Sequence, residues 1–148
     1  MTPVKSLQSI ISFFRRRFPR DLRVRLPREI QVISVSSVRS LVLNRVYRGR
    51  AKATNVLSFR YGKEYGEIII CPEVIRREAR RAGRDTRFQT ARMVLHAMFH
   101  LSGLHHEESE GADRKTTRLE AALMDAFHEL CLTSASRQSA YAASKKNR

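Results

Sequence analysis

The segment from Thr86 to Leu101 constrains the fold more than any other part of the sequence. Its second half leaves almost no polar face on a helix, because it contains Met93, Val94, Leu95, Ala97, Met98, Phe99 and Leu101. A helix that is apolar all round has to be covered by other elements on every side. We therefore expect a buried central helix around which the rest of the chain packs.

The other segments carry the patterns of helices and short strands. Apolar residues at helical spacing predict helices over about residues 5–18, 36–47, 72–83 and 113–132. In the second of these, we expect the buried side to carry Val38, Leu41, Val42 and Val46. Strands are predicted at Glu29–Val35, Thr54–Arg60 and Glu67–Cys71, and Leu22–Leu26 alternates as a further strand would. Together these patterns predict an α/β (α+β) fold in which several helices and a small sheet surround a central helix that carries histidines.

The length of 148 residues (17.1 kDa) suits one compact domain. We place this domain over residues 1–133 and expect a disordered basic tail over 134–148, which has no periodic apolar residues. Cys71 and Cys131 are far apart and form no Cys-x-x-Cys pair, as expected of buried thiols in the reducing cytoplasm. No window reaches the roughly 18 apolar residues that a membrane span needs, so we expect a soluble protein with no membrane span.

The charge of the chain indicates a polyanionic partner. There are 29 Lys and Arg residues against 14 Asp and Glu, which gives a net charge of +15. Residues 1–53 carry 13 of the basic and 2 of the acidic residues, and therefore a net charge of +11. Such a surface attracts nucleic acid first and anionic membranes second. The run Arg15–Arg17 is typical of a solvated helix face, which could also contact phosphates.

Four of the five histidines fall between His96 and His106. Residues four apart share one face of a helix, so His96 and His100 can direct both imidazoles at one ion. Gly103 then permits the chain to turn back with a positive φ, and His105 or His106 can supply a third nitrogen. Three protein ligands with one open position are typical of a catalytic zinc-type site, although nickel and other ions also bind imidazoles. His128 stands apart from this cluster, as a surface or packing residue.

The spacing H-x-x-x-H-x-x-G-x-x-H is that of the metzincin zinc proteases. Their general-base glutamate would stand at the position of Ala97, which argues against peptide hydrolysis. A metal-activated water in a strongly basic protein suits phosphodiester hydrolysis better, because a metal ion and arginines together stabilise an oxyanionic transition state on phosphorus.

The sequence resembles the YbeY endoribonucleases, which are bacterial rRNA maturation factors. Their hallmark H-G-x-L-H-L-x-G-Y-D-H is similar to residues 96–106, HAMFHLSGLHH. The resemblance continues upstream in Tyr47–Arg50 (YRGR), Thr54–Phe59 (TNVLSF) and Gly66–Ile70 (GEIII). This chain departs from the family where Phe99 replaces a common Leu, His105 replaces Asp, and Arg60 stands where Pro commonly follows LSF.

The resemblance implies a mixed sheet, a zinc-type ion held by His96, His100 and His106, and a functional arginine at Arg48. It also implies single-strand-specific endoribonuclease activity in maturation of the small-subunit rRNA 3′ end and in ribosome quality control. The expected partners are rRNA and the ribosomal small subunit, with no small-molecule cofactor. Arg50 and Lys52 would extend the RNA-binding groove, while Asn55 and Ser58 either orient groups near the cleft or satisfy local backbone.

Two other functions stay open at the level of sequence. One is a non-catalytic ribosome-assembly factor, in which the same metal ion stabilises the fold and the basic face binds rRNA. The other is a metallopeptidase, which Ala97 disfavours.

Overall fold

The computed structural model describes residues 6–104 and 110–146 of the chain. Its helices are α1 (Leu7–Arg17), α2 (Arg20–Arg23), α3 (Ser37–Arg48), α4 (Pro72–Ala82), α5 (Thr86–Leu101) and α6 (Glu110–Lys146). Its strands are β1 (Glu29–Ser34), β2 (Val56–Tyr61) and β3 (Tyr65–Ile70). None of the described helices is both long enough and apolar enough to cross a membrane.

The three strands form one sheet in the order β1-β3-β2. β3 is parallel to β1, with Val32 opposite Ile68, and antiparallel to β2, with Ser58 opposite Ile68. β2 and β3 form a hairpin whose turn contains Gly62 at a φ of 89°. The predicted small mixed sheet packed with several helices is therefore confirmed.

One sheet face is covered by the main core. Alternate strand residues point to the same face, and Ile30, Ile68, Ile70 and Val56 belong to one buried cluster with side chains of α1, α5 and α6. In α5 the side chains of Val94, Leu95, Met98 and Phe99 are fully buried, and the helix contacts α1, α4, α6, β2 and β3. On the opposite face, the ring of Tyr47 at the end of α3 packs edge-on against Phe59 of β2, with 4.9 Å between ring centroids.

The segment Leu22–Leu26 is not a strand, contrary to the alternation in its sequence. Residues 20–23 form the short helix α2, in which the carbonyl of Pro19 accepts hydrogen bonds from the backbone N–H groups of Leu22 and Arg23. Leu22 and Leu26 are both buried in the core, and their spacing of four residues suits a helical turn. Pro19 and Pro27 flank this segment and leave little length for a strand.

Helix α3 lies with its apolar residues outward, so the expectation for its buried side was wrong. Its buried side chains are Ser40 and Asn44, whereas the four predicted core residues are exposed, namely Val38, Leu41, Val42 and Val46. The reason is the loop of residues 49–55, which packs against α3 through its backbone. Ser40 Oγ donates to the carbonyl of Thr54 at 2.8 Å, and Asn44 Nδ2 donates to that of Lys52 at 2.9 Å. Small polar side chains can make these bonds and valine cannot.

Helix α6 continues to Lys146 and thus includes most of the segment for which the sequence favoured disorder. Residues 134–146 contain neither Gly nor Pro, and four of them are Ala, the residue that best propagates a helix once it has begun. The division into a domain over residues 1–133 and a tail stays a prediction.

Candidate active site

Helix α5 has defined ends that fix where its histidines lie. At its start, a side-chain oxygen of Asp85 accepts hydrogen bonds from the backbone N–H groups of Arg87 at 2.8 Å and Phe88 at 3.2 Å. At its end, Ser102 Oγ donates to the carbonyl of Phe99 at 2.7 Å, and Gly103 has a φ of 83°. The helix therefore ends at Leu101, one residue after His100 and five residues after His96, where the chain turns away.

His96 and His100 face each other on α5. Their Nε2 atoms are 3.0 Å apart, and their rings lie nearly perpendicular, with centroids 4.6 Å apart. Both side chains are half-buried. Two imidazole nitrogens thus meet at one point on the partly covered side of an otherwise buried helix.

This pair has the chemistry and spacing of two metal ligands. Two nitrogens that each lie about 2.0–2.1 Å from one tetrahedral ion are about 3.3 Å apart, close to the observed 3.0 Å. The predicted third ligand, His106, and its neighbour His105 lie outside the described residues. Within residues 6–104 and 110–146, no group of three or more His, Cys, Asp or Glu side chains is arranged to hold an ion. The described part of the chain therefore brings two imidazoles together, and a site with three protein ligands would need a further donor.

Strand β2 packs alongside α5, the helix that carries His96 and His100. Before its start, Asn55 Nδ2 donates to both carboxylate oxygens of Glu78 on α4, at 3.2 and 3.0 Å. The same carboxylate accepts a 3.5 Å hydrogen bond from Gln89 Nε2 on α5. Because Gln89 lies two turns before His96, this half-buried cluster ties the loop before β2 to the histidine-bearing helix.

A second contact connects the C-terminal ends of β2 and α5. The Arg60 Nη1 group donates to the carbonyl of Leu101, the last residue of α5, and to that of Arg25 at 2.6 Å. The sequence marked Arg60 only as a departure from a common Pro and gave no signal of this role. His96 and His100 lie on α5 between Gln89 and Leu101, the two residues through which α5 makes these hydrogen bonds.

Ser58 lies midway along β2. Alternation places it on the same face of β2 as Val56, a core residue, and as Arg60, which reaches Leu101. Ser58 is half-buried. The strand therefore directs the Ser58 side chain to the face of the sheet on which α5 lies, between Asn55 and Arg60.

The predicted RNA-contacting residues lie close together in the sequence, at the end of α3 and between α3 and β2. Arg48 is in the last turn of α3, and Arg50 and Lys52 follow in the loop that leads to Asn55. All three are exposed. Gly49 ends α3 with a φ of 69°, and the Asn44–Lys52 hydrogen bond holds the loop against the helix. These basic groups thus share one short, anchored segment.

The N-terminal arginine run is partly used within the fold. Arg15 Nη2 donates to the carbonyl of Pro27 at 2.8 Å, and burial lowers the pKa of its guanidinium. The guanidinium of Arg17 lies 3.7 Å from the centroid of the Phe13 ring. Arg16 and Arg17 are exposed, as expected of a solvated face, whereas Arg15 is half-buried.

His128 lies on α6, away from the histidine pair. It is exposed, and its ring packs edge-on against Phe88 at 6.1 Å between centroids. It therefore serves as an independent histidine for comparison with His96 and His100.

The fold and the site define a class of protein: an α/β protein with an imidazole pair on its central helix and a basic loop that leads into a strand packed along that helix. Residues 2–128 match the model of the family described as endoribonuclease YbeY. The chain belongs to this family, as its sequence motifs predicted.

Individual relatives agree with this assignment. An endoribonuclease YbeY of Thiobacillus denitrificans is 38% identical over 105 residues, which cover 68% of this chain and 71% of the relative. An endoribonuclease YbeY of Herminiimonas arsenicoxydans is 35% identical over 98 residues, which cover 59% of this chain and 63% of that protein, less than two thirds of its length.

A solved structure shares the fold. The solution structure of a Thermotoga maritima protein superimposes with a TM-score of 0.62 and covers 88% of this chain and 87% of its own. The two sequences are 22% identical, so this similarity concerns the fold alone.

Proposed function

We propose that the chain is a metal-dependent endoribonuclease that cleaves single-stranded RNA during maturation of the small-subunit rRNA 3′ end and in ribosome quality control. The observation that carries the proposal is the pair of Nε2 atoms, 3.0 Å apart, on the central helix of a chain that belongs to an endoribonuclease family. rRNA and the ribosomal small subunit are the proposed partners, the cytoplasm is the proposed location, and neither a membrane nor a small-molecule cofactor is required.

His96, His100 and His106 would hold one divalent ion, for which Zn²⁺ fits the imidazole donors. When bound, such an ion lowers the pKa of a coordinated water and withdraws charge from phosphate oxygens. The helix keeps His96 and His100 in fixed rotation because its other faces are buried. Such preorganisation matters because misplaced ligands weaken both binding and catalysis.

Arg48 would steady the scissile phosphate. Its guanidinium can donate two parallel hydrogen bonds to phosphate oxygens and so oppose the charge that develops in the transition state. Arg50 and Lys52 would contact neighbouring phosphates, which fixes the strand without reading its sequence. The segment from residue 30 to residue 63 contains no Asp or Glu, so nothing in it opposes the approach of RNA through like charge.

Peptide hydrolysis fits poorly with the position of Ala97. This residue is only 2% exposed and belongs to the apolar core. A carboxylate at this point of α5 would face buried apolar side chains, at a high desolvation cost. The helix thus offers no place for the general base that a metzincin-like protease needs.

The proposal is tested by cleavage of an end-labelled single-stranded RNA by metal-loaded protein, with a duplex of the same sequence in parallel. We expect cleavage of the single strand, strong loss of cleavage in His100→Ala and Arg48→Ala, and retention in His128→Ala. Tight, salt-sensitive binding without cleavage would instead identify a non-catalytic assembly factor. Equal cleavage by wild type and His100→Ala would refute the proposed site.

A further inference from the structure

Helix α3 presents aliphatic side chains to solvent over three successive turns. Val38 is 74% exposed and Val46 68%, and Leu41 and Val42 are also exposed. These four residues, hereafter the α3 apolar face, lie at i, i+3, i+4 and i+8 and so form one stripe. Contiguous exposed apolar patches of this kind mark interaction sites in soluble proteins.

The helix cannot bury this stripe by rotating. Its opposite side is fixed by the hydrogen bonds from Ser40 to Thr54 and from Asn44 to Lys52, and by the contact of Tyr47 with Phe59. Ser40 and Asn44 are almost completely buried. The α3 apolar face therefore stays on the surface in the folded chain.

A cationic group lies within the stripe. Arg45 follows Val42 by three residues and Leu41 by four, so it lies on the same side of the helix as these residues and next to them. In the part of the chain that the structure describes, the Arg45 guanidinium makes no hydrogen bond or ion pair. The charged residues nearest to it in the sequence are also basic: Arg39, Arg48, Arg50 and Lys52.

The combination of an apolar stripe with an arginine limits which kinds of molecule could bind to the α3 apolar face. A second copy would bring Arg45 and its basic neighbours against the same charges. A bilayer would have to accept Arg45 in the middle of the inserted stripe rather than at its edge. RNA gains little from valine and leucine, which provide neither a ring for stacking nor hydrogen bonds to base edges.

A protein surface with a carboxylate among apolar side chains satisfies both features. The aliphatic groups exclude water around an Arg–carboxylate pair, which is the arrangement in which arginine contributes strongly to interfaces. The lack of acidic residues between positions 30 and 63 complements an acidic rim on the partner.

We propose that the α3 apolar face is a docking surface for a partner protein that presents an acidic amphipathic helix, with one carboxylate opposite Arg45. Helix-to-helix packing of this kind uses apolar residues along one face of the partner helix, here at i, i+3 and i+7, with the carboxylate among them at i+4. None of the residues in the α3 apolar face belongs to the candidate active site, so the proposal goes beyond RNA cleavage and does not depend on it.

The test uses a designed helical peptide with leucines at i, i+3 and i+7 and a glutamate at i+4, and a twin with lysine in place of that glutamate. Binding to the full chain is measured by fluorescence anisotropy. We expect the glutamate peptide to bind wild type and to bind Arg45→Glu at least about tenfold more weakly. We expect the lysine peptide to restore binding to Arg45→Glu, and Val42→Asn/Val46→Asn to bind neither peptide.

Matched controls keep the result specific. Arg76→Glu reverses an exposed charge on α4, and Val24→Asn removes a valine that is 71% exposed outside α3; both should bind the glutamate peptide as wild type does. Circular dichroism and RNA cleavage should be unchanged in the α3 variants, which shows that they fold.

Several results would overturn the proposal. They are no binding of the glutamate peptide to wild type, equal binding by Arg45→Glu, or no rescue by the lysine peptide. Dimerisation, binding to phosphatidylglycerol vesicles, or RNA binding that Val42→Asn/Val46→Asn abolishes would assign the stripe to another occupant.

Discussion

Replacing Arg60 by methionine should loosen the end of the histidine-bearing helix. Methionine keeps much of the length of the side chain and removes the guanidinium, which donates to the carbonyls of Leu101 and Arg25. Leu101 is only 2% exposed, and its carbonyl is one of the last four in α5, which have no partner within the helix. The substitution leaves this group without its donor.

The cost can be worked out from these contacts. A partly buried carbonyl that loses its charged donor costs about 1–3 kcal/mol. The more exposed bond to Arg25 adds about 0.5 kcal/mol. We therefore expect a loss of about 1.5–3.5 kcal/mol in the free energy of unfolding, or roughly 3–14 °C in Tm for a chain of this size.

The assay is thermal and urea denaturation of the metal-free protein, followed by circular dichroism. Arg60→Lys should recover about half of the loss, since an ammonium group can reach one carbonyl more readily than two. Arg76→Met serves as the control, because Arg76 is an exposed arginine on α4. If Arg60→Met melted within about 1 °C of Arg76→Met, the two hydrogen bonds of Arg60 would contribute nothing to stability, and the reasoning would be refuted.

Three further predictions concern the loop after α3 and the sheet. Asn44→Ala should lower the free energy of unfolding by about 1–3 kcal/mol in urea titrations, because it leaves the Lys52 carbonyl without its buried donor; an unchanged midpoint would contradict this. The hydrogen bond to Glu67 raises the pKa of Tyr65 above the ordinary value of about 10, so stability should fall as the pH rises through about 10, and Glu67→Gln should shift the ultraviolet titration of Tyr65 downward. Arg50→Ala combined with Lys52→Ala should reduce the slope of log K against log salt for RNA binding by about 1–2, in filter binding at several salt concentrations; an unchanged slope would remove both residues from the RNA contacts.

The sequence predicted the helices and strands well where one periodic pattern was decisive. The apolar run of α5 and the β-rich runs of β2 and β3 each allow only one reading of their local structure. It failed at Leu22–Leu26, where two leucines four residues apart fit both a strand of mixed burial and a helical turn. Burial in the core, which is a tertiary property, decided for the turn.

The orientation of α3 could not be predicted for a similar reason. Its apolar stripe pointed to burial, but the partners of Ser40 and Asn44 are backbone carbonyls of a loop. Backbone acceptors leave no trace in the sequence. Polar side chains that complete the hydrogen bonding of an irregular segment can therefore determine which side of a helix faces inward.

In the candidate site, local spacing placed His96 and His100 on one helix face, and the structure puts their Nε2 atoms 3.0 Å apart. The hydrogen bonds that connect the segment around β2 to α4 and α5 could not be predicted from the sequence. Arg60 reaches residues 35 and 41 positions away, and Asn55 meets Glu78 at a separation of 23. Such contacts depend on how β2 lies along α5, which no local pattern specifies.

The most direct test of the central claim is the metal content of the purified protein. We expect elemental analysis after dialysis to give about one divalent ion per chain for wild type and for His128→Ala, and almost none for His96→Ala or His100→Ala. One ion per chain retained in His96→Ala/His100→Ala, or none in wild type after loading with Zn²⁺, would contradict the assignment of this histidine pair as a metal centre.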